Sequence, residues 1–214
     1  MPITELALLR LPSNNSIDSA TIRSKLTHAK TVMQTYTGRS FYFLQQVEDP
    51  SLLYIIGEWD SLVQHMEDFI PGKENQAVLE SLKDDVTVEW LLHIAVPHAG
   101  LPLPKDDSSK SKALSGKVVW SIVRHFIRDG EKDKFQNTFD DNKKYLQDFV
   151  TEGQIGAGWR VDRDEEKEEW ILFCPWTGVE QHSEFARTDG FEKYGRIREY
   201  IAGAEIKHAK LLDL

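Results

Sequence analysis

Two short stretches carry the side chains best suited to chemistry: Trp59-x5-His65 within EWDSLVQH and Trp176-x5-His182 within PWTGVEQH. A histidine titrates near neutral pH and serves as acid or base. A tryptophan face stacks on a flat ring. Together they suit a site that holds a phenol-like molecule and moves its proton. The competing reading is structural: a large aromatic plugs the end of a core, and a histidine at a helix start packs and bonds a nearby carbonyl.

Other residues could complete such a site. Arg10 and Arg124 sit near the ends of two strands, where a guanidinium could stabilise a phenolate or enolate or could close a salt bridge at the rim. His93 and His208 lie on later strands, with Glu89 and Glu205 close by in sequence. Strand alternation puts Glu89 and His93 on one face, the arrangement of a base with an orienting carboxylate. The second half is richer in such groups, with Trp120, Arg124, Trp159, Trp170, Cys174 and Trp176. The open pocket is therefore expected there. The candidate catalytic residues are His182, Arg124 and His65, and the candidate substrate-binding residues are Trp176, Trp159, Trp120, Trp59 and Tyr54. Cys174 precedes a proline in an apolar run with no local base, as a buried inert thiol would. No metal-ligand spacing occurs. The glycines Gly153, Gly156 and Gly158 fall between helix and strand, the wrong order for a dinucleotide turn, and no G-x-S-x-G elbow is present.

The elements that must position these residues repeat. Apolar residues at Ile22, Leu26, Ala29, Met33 and Tyr36 have the same spacing as Phe135, Phe139, Asn142, Leu146 and Phe149, the stripe of a helix packing one face on a sheet. A short apolar strand precedes each helix, at 5–11 and 120–126. Strands at 39–47 and 52–59 follow the first helix, with counterparts at 155–162 and 169–176. The turns between them are acidic, EDPS and RDEEKEE. Each tryptophan ends the third strand, and each histidine begins the helix after it. A further helical turn and a closing strand, 86–96 or 204–212, complete each half. The order β-α-β-β-α-β twice over is the ferredoxin-like arrangement. The strands are apolar on both faces, so both faces of each sheet must be covered. The fold expected is α+β: two ferredoxin-like repeats, 1–97 and 117–214, packed sheet to sheet as a pseudo-dimeric barrel within one chain. Residues 98–116, rich in Pro, Gly, Ser and charge, read as a linker, in part disordered.

Composition narrows the partners. The 214 residues carry a net charge of −9 and no basic cluster, which argues against nucleic acid. No apolar run is long enough to span a membrane. The N-terminus lacks a basic leader region, and one cysteine permits no internal disulfide. A reducing, cytoplasmic location is expected, and the tandem chain could itself form a homodimer.

The β-α-β-β-α-β order, the strand-terminal Trp and the W-D-S-x3-H opening of the next helix resemble the dimeric α+β barrel superfamily. The likeness is greatest to the antibiotic-biosynthesis-monooxygenase type of domain, here in a fused tandem form. The resemblance implies cofactor-free oxidation of an electron-rich phenol or anthrone, an aromatic or polyketide-like substrate of secondary metabolism, within a barrel cavity. A cyclase or isomerase on such substrates needs the same base and cavity. The other class of function is a non-catalytic ligand-binding or stress-related barrel. The haem-degrading branch would place a histidine ten residues after the strand Trp and an Asn on the first strand. Those positions are Phe69 and Ala186, and neither first strand holds an Asn.

Overall fold

The stripe of Ile22, Leu26, Ala29 and Met33 forms the buried face of α1 (Ala20–Thr37) in a computed structural model that describes residues 2–13, 15–162 and 168–214. Gly38 ends this helix in the left-handed region, φ 69°, where its N–H reaches the Gln34 carbonyl. A side chain would be strained there. The chain divides into two compact units, one of residues 1–98 with 211–214, the other of residues 99–210.

In the first unit β1 (Ile3–Arg10), β2 (Phe41–Gln46), β3 (Leu52–Trp59) and β4 (Thr87–Ile94) stand in the order β4-β1-β3-β2, all antiparallel. Alternation sends Ile3, Ala7 and Leu9 of β1, with Leu53, Ile55 and Trp59 of β3, into one core with α1 and with Val78 and Leu82 of α2 (Lys73–Leu82). The other face is buried as well, at Leu6, Leu8, Leu44 and Ile56. Between β3 and α2 lies a widened, π-helical turn, Gln64–Phe69, whose two buried side chains are His65 and Phe69. Where β1 meets β4 the register slips, so that Leu8 faces Trp90 and Leu9 faces Val88. Glu89 is the extra residue of a β-bulge.

The second unit orders β5 (Val119–Ile127), β6 (Gly156–Trp159), β7 (Glu169–Trp176) and β8 (Ile201–Leu211) as β8-β5-β7-β6, again antiparallel. Phe135, Phe139 and Leu146 of α4 (Lys132–Gln147) pack on Val123, Trp170, Leu172 and Trp176. Asn142, the polar exception in the stripe, turns its amide back to the Thr138 carbonyl at 2.8 Å. α5 (Val179–Phe185) and α6 (Asp189–Tyr194) follow β7, and a 3-10 turn, Gly195–Tyr200, leads into β8.

Three expectations are corrected. β6 has four residues rather than the eight expected at 155–162. The segment read as a linker is structured. It holds α3 (Asp107–Lys112), begun by a capping box between Asp106 and Ser109, and it buries Leu101, Leu103 and Ala113. Its Pro and Ser residues serve a tight path and a cap rather than disorder. The bulge at Glu89 takes that side chain off the face of His93, because one extra residue reverses the alternation. Of the acidic turn before β7, residues 163–167 lie outside the described residues. Among the described residues no helix is long and apolar enough to cross a membrane.

Candidate functional site

The Trp-x5-His units build the same local geometry in each unit. Trp59 ends β3, and the His65 ring lies flat on its indole, 4.0 Å between centroids and 9° between planes. Trp176 ends β7 and carries His182 in the same way, at 4.6 Å and 9°. Each histidine presents Nδ1 to Nε2 of the histidine on the closing strand, His65 to His93 at 2.6 Å and His182 to His208 at 2.8 Å. The closing-strand histidines are therefore partnered by the helix histidines. Glu89 and Glu205 instead meet the first-strand arginines, Arg10 at 2.6 Å and Arg124 at 3.3 Å.

Below the stack the two units part. In the first, the Trp59 indole N–H donates to Glu5 at 2.8 Å, and Glu5 lies 3.7 Å from His65 Nε2. In the second, the Trp176 N–H donates to the Ser121 hydroxyl at 2.9 Å. Register makes these positions equivalent, since Glu5 faces Gly57 and His93, and Ser121 faces Cys174 and His208. Phe41 lies so close over Gly57 that an added Cβ would sit 2.0 Å from its ring. Glu5 and Phe41 thus fill the space in the first unit. In the second, Ser121 is shorter than Glu5, and a cavity of about 150 Å³ lies beside it with Cys174, the counterpart of Gly57, in its wall.

Trp176, His182, Ser121, Cys174, Tyr194 and Arg198 all contribute to its wall. Burial, then the nearby His208, lowers His182 to a pKa of about 4, so its imidazole is neutral at pH 7 and acts as a hydrogen-bonding group rather than a strong base. Burial pushes the Tyr194 phenol well above its usual value, and pushes the Cys174 thiol up against the opposing hydrogen bond from Ser121. Both stay protonated. Arg198 supplies the positive charge, its Nε tied to the Gly195 carbonyl at 3.0 Å and its guanidinium over the Phe191 ring at 5.0 Å. The wall can therefore stack a ring, accept a hydrogen bond and balance an anion. In the first unit, burial raises Glu5 to about 7, against the lowering by its bond to Trp59 and by the charge of His93.

Of the sequence candidates, Trp176 and His182 come together at this cavity, and Trp59 and His65 form the parallel cluster with Glu5. The others stand elsewhere. Arg124 is ion-paired to Glu169 and Glu205. The Trp159 N–H donates to Gln136 at 2.8 Å, with Lys132 4.4 Å above its ring. Trp120 donates to the Pro102 carbonyl at 2.7 Å on the opposite face of β5. Tyr54 accepts from Gln46 at 3.0 Å. Sequence reasoning missed Ser121, Tyr194, Arg198 and the role of Glu5. Only Glu5 left a usable signal, as a lone carboxylate on the inward parity of an apolar strand.

Phe69 packs 4.8 Å from Trp59, and Ala186 caps α5. Neither side chain can ligate iron, so the positions that would hold haem do not fit it. Among the described residues no cluster of His, Cys, Asp and Glu is arranged to hold a metal ion.

No family model matches the chain, and no curated protein matches its sequence. Solved structures do match. A "putative monooxygenase" from Fusobacterium nucleatum aligns over 99% of this chain and 93% of its own, at 10% identity and a TM-score of 0.67. An anthrone oxidase-like protein aligns over 99% and 92%, at 14% identity and 0.63. A chlorite dismutase from Candidatus Nitrospira defluvii, in complex with imidazole, aligns over 99% and 91%, at 11% identity and 0.58. These neighbours belong to the dimeric α+β barrel superfamily.

The chain has the α+β barrel fold.

At such identities the likeness speaks for the fold alone. What this α+β barrel protein does must be argued from its own side chains.

Proposed function

We propose that the protein is a monooxygenase-like enzyme that oxidises an electron-rich phenol without a cofactor, in the cavity of the second unit. In this reading the chain is a fused tandem of two domains of one type. The observation that carries it is the cavity itself. Trp176 and His182 line it together with four further polar side chains, where the first unit is filled by Glu5 and Phe41. Convergent polar groups in an otherwise apolar pocket are the mark of a small-molecule site.

The residues divide the work. A ring stacks beside Trp176. The neutral His182 accepts a hydrogen bond from the phenol O–H, and Arg198 balances the negative charge that develops on the phenol oxygen. The anion, held away from bulk water, passes electrons to dioxygen. The new C–O bond and the loss of water then yield a quinone. A cavity of about 150 Å³ suits a single ring, since an apolar void of that size takes benzene.

Oxygen uptake tests the proposal, with polyhydroxybenzenes and anthrones and no metal or cofactor added, on the wild type, Trp59→Phe and Trp176→Phe. Turnover of the one-ring substrates, lost in Trp176→Phe alone, is expected. Binding without uptake would overturn the oxygenase reading in favour of a ligand-binding barrel.

A further inference from the structure

At one strand position the first unit carries a carboxyl that the second lacks. Glu5 reaches under the stacked pair of its unit, where it accepts the Trp59 N–H at 2.8 Å and lies 3.7 Å from His65 Nε2. Ser121 holds the matching place in the second unit. It takes the Trp176 N–H at 2.9 Å and has no carboxyl to set beside His182. The cavity of about 150 Å³ lies there, with Ser121, Trp176 and His182 all in its wall. The first unit therefore shows, from within the chain, a chemical group that this arrangement of rings accepts.

The second unit has the donors for such a group. His182 Nδ1 faces His208 Nε2 at 2.8 Å, and the proton between two neutral rings can belong to either. When His208 donates it, the His182 ring carries its own proton on Nε2 and becomes a donor there. Ser121 accepts the indole bond and keeps its hydroxyl proton. That proton turns to the Cys174 sulfur, a weak acceptor that a carboxylate outbids. Arg198 adds a positive charge. Its Nε holds the Gly195 carbonyl at 3.0 Å, and its terminal N–H groups remain to donate. The Glu5 carboxyl, raised by burial to about 7, is in part protonated at neutral pH, whereas Arg198 gives the second unit a counter-charge for the ionised form. Leu146, Leu172, Phe185 and Ile197 make the rest of the wall apolar, and the volume suits one ring.

We propose that the second-unit cavity binds a one-ring aromatic carboxylate of the benzoate type, with its carboxyl in the place that Glu5 holds in the first unit, and that such an acid competes with the phenol. One carboxylate oxygen accepts from His182 Nε2–H and the other from the Ser121 hydroxyl, while Arg198 balances the charge. No covalent bond is made or broken. The proposal rests on the cavity of the oxygenase reading and not on its turnover.

Calorimetric titration with benzoate and with benzyl alcohol tests it, since the two share a ring and only the first is an anion at pH 7. The wild type is expected to bind benzoate more tightly. Arg198 is exposed, so Arg198→Met should keep the fold. It should weaken benzoate roughly tenfold or more and leave benzyl alcohol little changed. Ser121→Glu puts the carboxyl of the first unit into the second and should abolish benzoate binding; if that variant does not fold, Arg198→Met decides. Glu5→Gln, in the other unit, should leave benzoate binding as it is. The proposal fails if benzoate does not bind, if Arg198→Met leaves its affinity unchanged, or if the folded Ser121→Glu variant still binds it. Oxygen uptake separates the two readings. Benzoate binding with no uptake on any phenol would keep this proposal and sink the oxygenase, and phenol turnover that benzoate does not slow would do the reverse.

Discussion

Glu5 and Ser121 hold the same place in their units: each accepts the indole N–H of the tryptophan that ends the third strand, at 2.8 Å and 2.9 Å. A hydroxyl satisfies the indole as well as a carboxylate does, so the bond does not require a buried charge. Burial holds the Glu5 carboxyl at about 7, above its usual 4.5. The folded state therefore keeps a proton that the unfolded state gives up between those values. The stability contributed by the neutral acid is complete below about 4.5 and is lost as pH rises through 7. Glu5→Gln keeps an acceptor for Trp59 and removes the titration. Denaturant unfolding should show the variant more stable at pH 8, by up to about 3 kcal/mol, and little changed at pH 4.

His125 titrates with the opposite sign. Burial lowers it to about 4 against 6.5 in the free side chain, so the unfolded chain binds the extra proton between those values. Its stabilising effect is complete above about 6.5 and is lost as pH falls toward 4. A thermal melt of His125→Phe, with an aromatic ring kept beside Phe135 and Trp170, should lose less Tm than the wild type between pH 7 and pH 4.5. Equal losses would place the acid sensitivity elsewhere.

Ser121→Leu should fill the second-unit cavity from its floor and strip Trp176 of its hydrogen-bond partner. Binding of one-ring phenols should fall by at least roughly tenfold, at a stability cost of about 1–3 kcal/mol for the unpaired indole. Calorimetric titration with a one-ring phenol checks it.

Arg124 separates an ion-pair role from a catalytic one. It shares the buried Glu169 with Arg160, whose contact is 3.1 Å. Arg124→Leu should destabilise the fold by on the order of 3 kcal/mol, the low end for removing a partner from a buried carboxylate, because Arg160 remains. Ligand affinity should not move. A loss of affinity with stability intact would return Arg124 to the site.

Gly57→Ala brings a methyl group against the Phe41 ring and should cost about 1–3 kcal/mol as Phe41 shifts. A neutral result would show that Phe41 has room to turn aside.

Much of the fold could be read from residue spacing. Ile22, Leu26, Ala29 and Met33 gave away one helix, and Phe135, Phe139 and Leu146 its counterpart, because a helix that packs on a sheet leaves a 3.6-residue signature. The Trp-x5-His units were visible as a repeated pattern. Their partners were not. His93 and His208 lie about 26–28 residues further on, and a contact between a helical turn and a distant strand leaves no local periodicity. The alternation rule then misled at Glu89, since a bulge is one uncounted residue. Arg198 and Tyr194 reach the cavity from irregular helical turns, where no pattern fixes a direction. The cavity lies where Ser121 stands in place of the longer Glu5, and that becomes legible only once register sets the two positions side by side.

The flat imidazole on each indole also gives the molecule an optical voice. A protonated imidazole in contact with an indole quenches its emission, whereas a neutral one does so far less. Trp59 and Trp176 are two of the six tryptophans, each lying 9° from the plane of its own histidine. Acid titration through about 4 should therefore dim Trp176 as His182 takes up its proton, with no dye attached.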